Sequence, residues 1–332
     1  MGTDRGYGGG RTGILERADG QVEIVTSCDP PLGTTRTSMP PQVRGGVEAE
    51  ALRLNRRSRR HQLREGVRCK APGKGLRGCG RTLVAVHERV DVRLTGGVAH
   101  FTGLMTCGLV WMCPVCSPKI RHGRALTVER GLNRALEMGH GIEFVTLTSR
   151  HHLGQALADL FSRSQKAFNA MRTDKSFRTL MARFTLRWIM VREVLYGPIN
   201  GWHPHFHLAV ITWVPLTPTE RAELEEGFWR GWSHQLQRVG LSAMRGPGVL
   251  VKPCTSADGL AGYLCKVEAD DGATRSLSLE LTRSDLKRAG GVLRTPEQIL
   301  EDYLDTGDLA DLALLEEYWN CLLYTSPSPR DS

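Results

Sequence analysis

The stretch Trp202-His203-Pro204-His205-Phe206-His207-Leu208-Ala209-Val210 decides the fold that the sequence predicts. Side chains on a β-strand alternate between two faces, so His203, His205 and His207 share one face while Phe206 lies on the opposite, core-facing side. Two imidazoles separated by one pleat can bind the same divalent metal ion. The stretch therefore predicts a strand with one metal-binding face and one apolar face.

The strand that is predicted just before it, over residues 187–195, supplies a carboxylate. If the connecting hairpin is centred near Ile199, Glu193 lies opposite His205 across the ladder. Two nitrogens and one oxygen leave open positions for phosphate oxygens, which suits Mg²⁺ or Mn²⁺ in nuclease chemistry. A hydrogen-bonded histidine stripe without metal is the alternative. His203, which precedes a proline, is the weakest of the three candidate histidine ligands.

The rest of the chain predicts a sheet flanked by helices. Apolar runs at 144–148 and 249–252 predict strands, and the periodicity at 153–171 and 217–239 predicts helices. Strands that are joined by a short loop, such as 196–201, pair in antiparallel fashion. We therefore expect an α+β fold in which an antiparallel β-sheet has the histidine strand at its centre and helices on one face.

Basic residues concentrate in one part of the chain. The formal net charge is +9, yet residues 51–125 alone hold sixteen Lys and Arg against three acidic residues. Such a patch is typical of polyanion-binding proteins, with an ordinary solvated face as the alternative. The residues that we expect to contact DNA are Arg56, Arg57, Arg59, Arg60, Lys119 and Arg121.

Cysteines cluster in the same region. Cys113 and Cys116 form a CxxC pair, Cys107 lies just before it, and Cys69 and Cys79 lie farther upstream. Two nearby and two distant thiolates match the spacing of a tetrahedral structural zinc site. A redox CxxC is the alternative, although no thioredoxin-like βαβ pattern surrounds it. The spacing leaves open which four of the five thiols bind zinc.

Composition excludes several classes of protein. Hydrophobic residues make up 40% of the 332 residues, enough for a packed core. No run of about 18 consecutive apolar residues occurs, so we expect no spanning helix and no membrane partner. Residues 1–20 lack an apolar signal-peptide core. We therefore expect a cytoplasmic protein whose cysteines are reduced or metal-bound rather than bridged.

Several of these blocks resemble one protein family. Residues 192–194 and 201–207 resemble the His-hydrophobic-His motif of rolling-circle replication initiators of Gram-positive, particularly actinobacterial, plasmids, which belong to the HUH endonuclease superfamily. Residues 106–116, with 79–81 upstream, resemble the cysteine motif of that family. The resemblance spans roughly 66–320 and implies an HUH endonuclease-like fold preceded by a small cysteine-rich zinc module. It also implies that the zinc ligands are Cys79, Cys107, Cys113 and Cys116, which leaves Cys69 spare.

The resemblance also implies a nucleophile. Residues 262–266 resemble the third motif of the family and fall on a predicted helix over 257–267. Tyr263 would attack the scissile phosphate and leave a 5′-phosphotyrosine and a free 3′-hydroxyl primer, and Lys266, on the same helical face, would orient the phosphate. Tyrosine as a packing residue is the alternative. The broader plasmid family carries a glutamate where this chain has Gly259, so the base for termination is unassigned.

These features together predict a plasmid rolling-circle replication initiator that nicks and rejoins single-stranded DNA. The expected cofactors are Mg²⁺ or Mn²⁺ for catalysis and Zn²⁺ for structure. The expected partners are single-stranded and duplex plasmid origin DNA, together with a host helicase and polymerase. The alternatives are a rolling-circle HUH transposase, which shares this chemistry, and a non-catalytic zinc-dependent DNA-binding regulator. Conjugative relaxases usually place the tyrosine before the histidine strand and therefore fit less well.

The patterns also divide the chain into segments. We expect a disordered basic arm at 1–65, a cysteine-rich, DNA-contacting zinc module at 66–125, an HUH nicking and joining domain at 126–295 and an acidic helical tail at 296–320. Residues 321–332 resemble translated sequencing-adapter codons, so we expect them to be non-native and the tail to be truncated.

Overall fold

The computed structural model describes residues 12–16, 22–26, 47–71, 74–95, 98–254 and 292–325. The chain forms two compact units. The first, called here the cysteine unit, comprises Met1–Ser117, Leu300–Asn320 and Ser326–Ser332. The second, the sheet unit, comprises Pro118–Ile299 and Cys321–Thr325. Among the described residues, no helix combines the length and the apolar character that a membrane crossing requires.

The cysteine unit begins with hairpins and a long basic helix. Its first elements are β1 (Thr12–Glu16), β2 (Val22–Thr26), α1 (Val47–Val67), α2 (Lys74–Gly78), β3 (Asp91–Thr95) and β4 (Val98–Thr102). Strand β1 pairs with β2 and β3 pairs with β4, both antiparallel. Helix α1 occupies part of the arm that the sequence analysis expects to be disordered. It is ordered because strong helix formers dominate it and because Leu63 and Val67, one turn apart, are buried.

A four-stranded antiparallel sheet organises the second unit. The elements are α3 (Cys116–Glu137), which starts two residues before the unit, β5 (Gly141–Thr148), α4 (Leu157–Thr173), α5 (Lys175–Phe184), β6 (Thr185–Gly197), β7 (Gly201–Thr212), α6 (Pro218–Arg238) and β8 (Val249–Pro253). The strand order is β6-β7-β5-β8. The histidine strand β7 thus lies between two neighbours, which confirms the predicted α+β class and the interior position of this strand.

One face of the sheet packs against α4 and α6. Phe206 of β7 stacks on Phe168 of α4, with ring centroids 5.2 Å apart, and meets Trp232 of α6 edge-on at 5.7 Å. At the same face, the buried carboxylate of Glu143 accepts hydrogen bonds from the Arg221 guanidinium at 2.7 and 3.0 Å. Aromatic packing and this ion pair hold the sheet to its helices.

The opposite face packs against α3. Leu132 is fully buried there in one cluster with Phe144 and Ala209, and Val128 and Leu136 pack around it. The prediction of helices on one face only is therefore wrong. The physical reason is the apolar stripe of α3, whose members recur every four residues and need an apolar surface of their own. The histidines of β7 lie on this α3-covered face, beyond the apolar cluster.

Two acidic helices, α7 (Pro296–Thr306) and α8 (Leu309–Thr325), end the described part of the chain. Gly307 separates them with a φ of +75°, and its amide donates to the carbonyl of Tyr303 at 2.7 Å. A glycine in this left-handed conformation is a common end of an α-helix. Helix α8 continues to Thr325, past the point at which the sequence begins to resemble adapter codons.

Candidate metal centres

Strands β6 and β7 place three candidate metal ligands side by side. Glu193 pairs in register with His205, and His207 follows one pleat along on the same face. One carboxylate oxygen, Glu193 Oε2, lies 2.9 Å from Nε2 of each histidine. The three ligand atoms lie within 4.8 Å of one another, and all three residues are buried. We call this group the sheet triad.

The protein holds both histidine rings by their Nδ1 atoms. His207 Nδ1 lies 3.2 Å from Thr146 Oγ1, and His205 Nδ1 lies 3.3 Å from the carbonyl oxygen of His203. Because a carbonyl only accepts, Nδ1 of a neutral His205 carries the proton and Nε2 keeps its lone pair. Proteins commonly anchor metal-binding imidazoles in this way, with one nitrogen bonded to the protein and the other facing the ion.

The spacing of the sheet triad fits one divalent ion. Ligand atoms at about 2.1 Å from an octahedral ion, and adjacent in its shell, are about 3 Å apart. The observed nitrogen–oxygen distances are 2.9 Å. Imidazole lone pairs and an ionised carboxylate at this distance repel each other unless a cation or a proton lies between them. Two nitrogens and one oxygen also leave coordination positions for ligands from outside the protein.

An aromatic ring forms one wall of the sheet triad. Phe144, itself fully buried, stacks on His207 with ring centroids 5.1 Å apart and planes inclined by 25°. An apolar shell of this kind lowers the local dielectric constant and strengthens the interaction between an ion and its ligands. The sequence places Phe144 and Thr146 two residues apart on β5, but only the pairing of β5 with β7 brings both against His207.

His203 lies on the same face of β7 but outside the sheet triad. Its Nδ1 is 3.3 Å from either ring nitrogen of His151, and the two rings meet edge to face with centroids 4.6 Å apart. Burial, with smaller contributions from His205 and His151, lowers the pKa of His203 to about 3. His203, the weakest of the three histidine candidates in the sequence, thus packs against His151, a loop residue.

Four cysteines converge in the cysteine unit. Cys79 Sγ lies 3.8 Å from the sulfur of Cys113 and 3.6 Å from that of Cys116, and Cys107 Sγ lies 3.7 Å from Cys116 Sγ. Sulfurs bound at about 2.3 Å to a tetrahedral ion are separated by about 3.8 Å. The four thiols named from the sequence resemblance are therefore brought together with the spacing of a tetrahedral metal site. We call this group the thiol cluster.

Local backbone geometry explains how the thiols converge. Gly80 and Gly108 each follow a cysteine of the cluster directly and have φ values of +69° and +65°. A left-handed residue at these positions turns the chain sharply around the sulfur, and glycine adopts that conformation without strain. The amide of Cys116 donates to the sulfur of Cys113 at 3.3 Å. Hydrogen bonds from neighbouring thiols lower the pKa of Cys116 to about 6.

Among the described residues, Cys69, Cys254 and Cys321 are not part of the thiol cluster. Cys69 is disulfide-bonded, which corrects the expectation that no cysteine of this chain is bridged. Cys254 is a buried free thiol in the sheet unit. Cys69 is thus spare with respect to the cluster, as the resemblance implies.

The basic residues predicted to contact DNA differ in their surroundings. Arg57 and Lys119 are exposed, whereas Arg56, Arg59 and Arg60 are half-buried. The Arg57 guanidinium lies 3.5 Å from a backbone carbonyl of β4. Arg59 forms an ion pair with a carboxylate of α7. The arginine run is thus part of the folded cysteine unit and not a free arm.

Arg121 differs from the other residues that were predicted to contact DNA because its side chain is buried. It is 4% exposed and lies 3.8 Å from the carboxylate of Glu297. The reason is its place on α3, because Ser117 and Ala125, one turn to either side, are also buried and define the inward face of the helix. The structure thus buries Arg121 beside a carboxylate, and its contact with DNA stays a prediction from the sequence.

The candidate nucleophile lies outside the described residues. Tyr263, Lys266 and Gly259 all fall in the segment 255–291, so their roles stay predictions from the sequence resemblance. The chain enters that segment from β8, which pairs with β5 beside the histidine strand.

Two curated proteins from Streptomyces are similar to this chain. It is 30% identical over 258 residues to "Protein rep" of Streptomyces lividans, a match that covers 64% of this chain and 56% of that protein. It is 26% identical over 243 residues to "Neomycin resistance protein" of Streptomyces cyanogenus, covering 62% of this chain and 53% of that protein. The chain thus spans about half the length of these relatives. No family profile and no solved structure matches it.

Proposed function

Because the chain is related to a Rep protein, as its motifs also indicate, we propose that it is a plasmid replication initiator of the rolling-circle, HUH endonuclease type. The observation that carries the catalytic part of the proposal is the sheet triad, in which one Glu193 oxygen lies 2.9 Å from Nε2 of both His205 and His207. A carboxylate and two imidazoles with open positions suit an ion that handles phosphate oxygens.

In the proposed reaction, the Tyr263 hydroxyl attacks the scissile phosphorus. A bond forms between the phenolic oxygen and phosphorus as the phenol gives up its proton to solvent. The bond from phosphorus to the 3′ oxygen breaks, and this oxygen takes up a proton, so the upstream strand leaves with a 3′-hydroxyl. Mg²⁺ or Mn²⁺ bound at the sheet triad would polarise the phosphate as a Lewis acid. One phosphoester replaces another, so no high-energy cofactor is needed, and the reverse reaction rejoins the strand.

The thiol cluster has a structural role in this proposal. Four thiolates would complete the tetrahedral shell of Zn²⁺ and leave no position for substrate. The ion would join the turn at Cys79 to the segment from Cys107 to Cys116, and so order the unit that carries α1. The exposed basic residues of this unit and of α3 would then bind duplex origin DNA. A host helicase would unwind the duplex, and a host polymerase would extend the primer.

Adduct formation tests the proposal. The protein would be incubated with Mn²⁺ and single-stranded oligonucleotides that tile the replicon carrying the gene, and the products would be separated on a denaturing gel. We expect a covalent protein–DNA band for the wild type and for Tyr196→Phe, whose half-buried ring packs on Trp202 at 5.0 Å. We expect none for Tyr263→Phe. If the wild type binds DNA but forms no adduct, the enzyme proposal fails and a non-catalytic DNA-binding regulator remains. A rolling-circle transposase would share the adduct and differ in acting at element ends.

A further inference from the structure

The cysteine unit contains acidic helices as well as a basic one. Residues 297–319 hold eight Asp and Glu and no Lys or Arg. Helix α1, by contrast, carries an arginine run at residues 56–60. Helix α1 and residues Leu300–Asn320 belong to the same compact unit, so part of its basic charge is offset inside the unit itself.

Helices α1 and α7 are in direct contact. The Arg59 guanidinium forms an ion pair with the Asp305 carboxylate. Two turns farther along α1, a side-chain carbon added at Gly66 would clash with the Leu304 side chain, so the two helices approach closely there. Residues seven apart lie on the same side of a helix, so one side of α1 faces α7 at both contacts.

Burial along α1 marks the same side. Leu63, one turn from Arg59, is 6% exposed. Arg56 and Arg60 are half-buried, whereas Arg57, which points away from this stripe, is exposed. Helix α7 therefore lies against the side of α1 that carries Arg59 and Gly66, which we call the arginine stripe.

From these contacts we propose that α7 is an internal competitor of DNA for the arginine stripe of α1. The Asp305 carboxylate of α7 occupies the Arg59 guanidinium, which would otherwise bind a phosphate, so binding of DNA at this stripe requires that α7 be displaced. The inference rests on the proposed DNA-binding function. The Arg59–Asp305 pair suits such a role because its side chains are 35% and 43% exposed. Exposed ion pairs are weak and exchangeable, and a polyanion that releases counterions can outcompete them.

A pair of charge-matched variants tests the proposal in the full chain. Asp305→Asn removes the competing carboxylate, and Glu316→Gln removes one negative charge at an exposed position of α8. The fluorescence anisotropy of a labelled duplex of about 30 base pairs, at about 50 mM salt, gives the affinity. We expect Asp305→Asn to bind roughly twofold to fivefold tighter than the wild type, the range for one exposed ion pair. Glu316→Gln should stay close to the wild type.

The possible results distinguish failure of the competition by α7 from failure of the proposed DNA-binding function. Equal affinities of the two variants would overturn the competition while leaving DNA binding intact. Absence of binding by all three proteins at low salt would overturn the proposed function itself. Hydrogen exchange of the wild type supplies a readout that is independent of folding defects in a variant. We expect the amides of residues 300–306 to exchange faster when duplex is added, and unchanged exchange would contradict displacement of α7.

Discussion

The sheet triad and the thiol cluster are built in opposite ways. The triad takes Glu193 and two histidines from adjacent strands whose pairing is held by backbone hydrogen bonds and by cores on both faces. The thiol cluster gathers its ligands from the turn at Cys79, the loop before α3 and the first residue of α3, in a unit whose described strands form only two-stranded hairpins. The first site is positioned by the fold, whereas at the second an ion would do much of the positioning. Folding and metal binding should therefore be coupled at the thiol cluster and independent at the triad.

The largest effect is expected from loss of a thiol ligand. Cys113→Ser should abolish zinc binding and unfold the cysteine unit, because apparent zinc-binding free energies of about 10–16 kcal/mol are also folding free energies in such modules. Zinc content and thermal unfolding followed by circular dichroism measure the change. Cys254→Ser, at a buried free thiol of the sheet unit, is the matched control and should keep the zinc. If Cys113→Ser binds no zinc yet unfolds at the same temperature as the wild type, folding and metal binding are not coupled at the thiol cluster, and the difference between the two centres is contradicted.

Loss of a ligand of the sheet triad should lower the rate of nicking while leaving the stability of the fold nearly unchanged. We expect His207→Ala to lower the rate of nicking by about a hundredfold or more, since removal of even an outer-shell partner of a metal ligand costs roughly 10–100-fold. The midpoint of thermal unfolding should change by only a few degrees, because β7 is held on both sides. His122→Ala, at an exposed histidine of α3, controls for loss of an imidazole. Comparable loss of activity in both variants would contradict the assignment.

A smaller effect is expected from the residue behind His207. Thr146→Val keeps the shape of the side chain but removes the oxygen that lies 3.2 Å from His207 Nδ1. The imidazole then loses its anchor, and the affinity for Mn²⁺ should fall by roughly tenfold. Isothermal titration with Mn²⁺ measures this, and zinc content should not change. Unchanged Mn²⁺ affinity would show that Thr146 only packs against the ring.

The sheet triad was the most predictable part of the molecule. A period of two puts alternate histidines on one face, and a short hairpin sets Glu193 opposite His205, so local patterns suffice. The contacts of Thr146 and Phe144 with His207 depend on the pairing of β5 with β7, and β5 lies about sixty residues upstream. Local periodicity carries no information about such a partner strand. The sequence patterns also did not predict helix α5. Its buried face is defined by distant contacts, such as that of Phe177 with Phe228 of α6, which local periodicity does not reveal.

The sequence also could not predict which basic residues are buried. In the sequence, the arginine run and Arg121 are equivalent positive charges. In the structure, Arg121 lies on the inward face of α3 beside buried neighbours, and Arg59 pairs with an acidic helix nearly 250 residues farther along. Net charge of a segment predicts the sign of its potential but not which cations are already paired inside the fold.

The most direct test is Mn²⁺ binding followed by electron paramagnetic resonance, with the wild type and Glu193→Gln compared after treatment with a chelator too weak to remove zinc. Glu193→Gln keeps the size of the side chain and removes the charge that an ion needs. We predict one Mn²⁺ bound per wild-type chain, loss of that site in Glu193→Gln, and equal zinc content in the two proteins. Equal Mn²⁺ binding by both proteins, or none by the wild type, would contradict the assignment of the sheet triad as a metal centre.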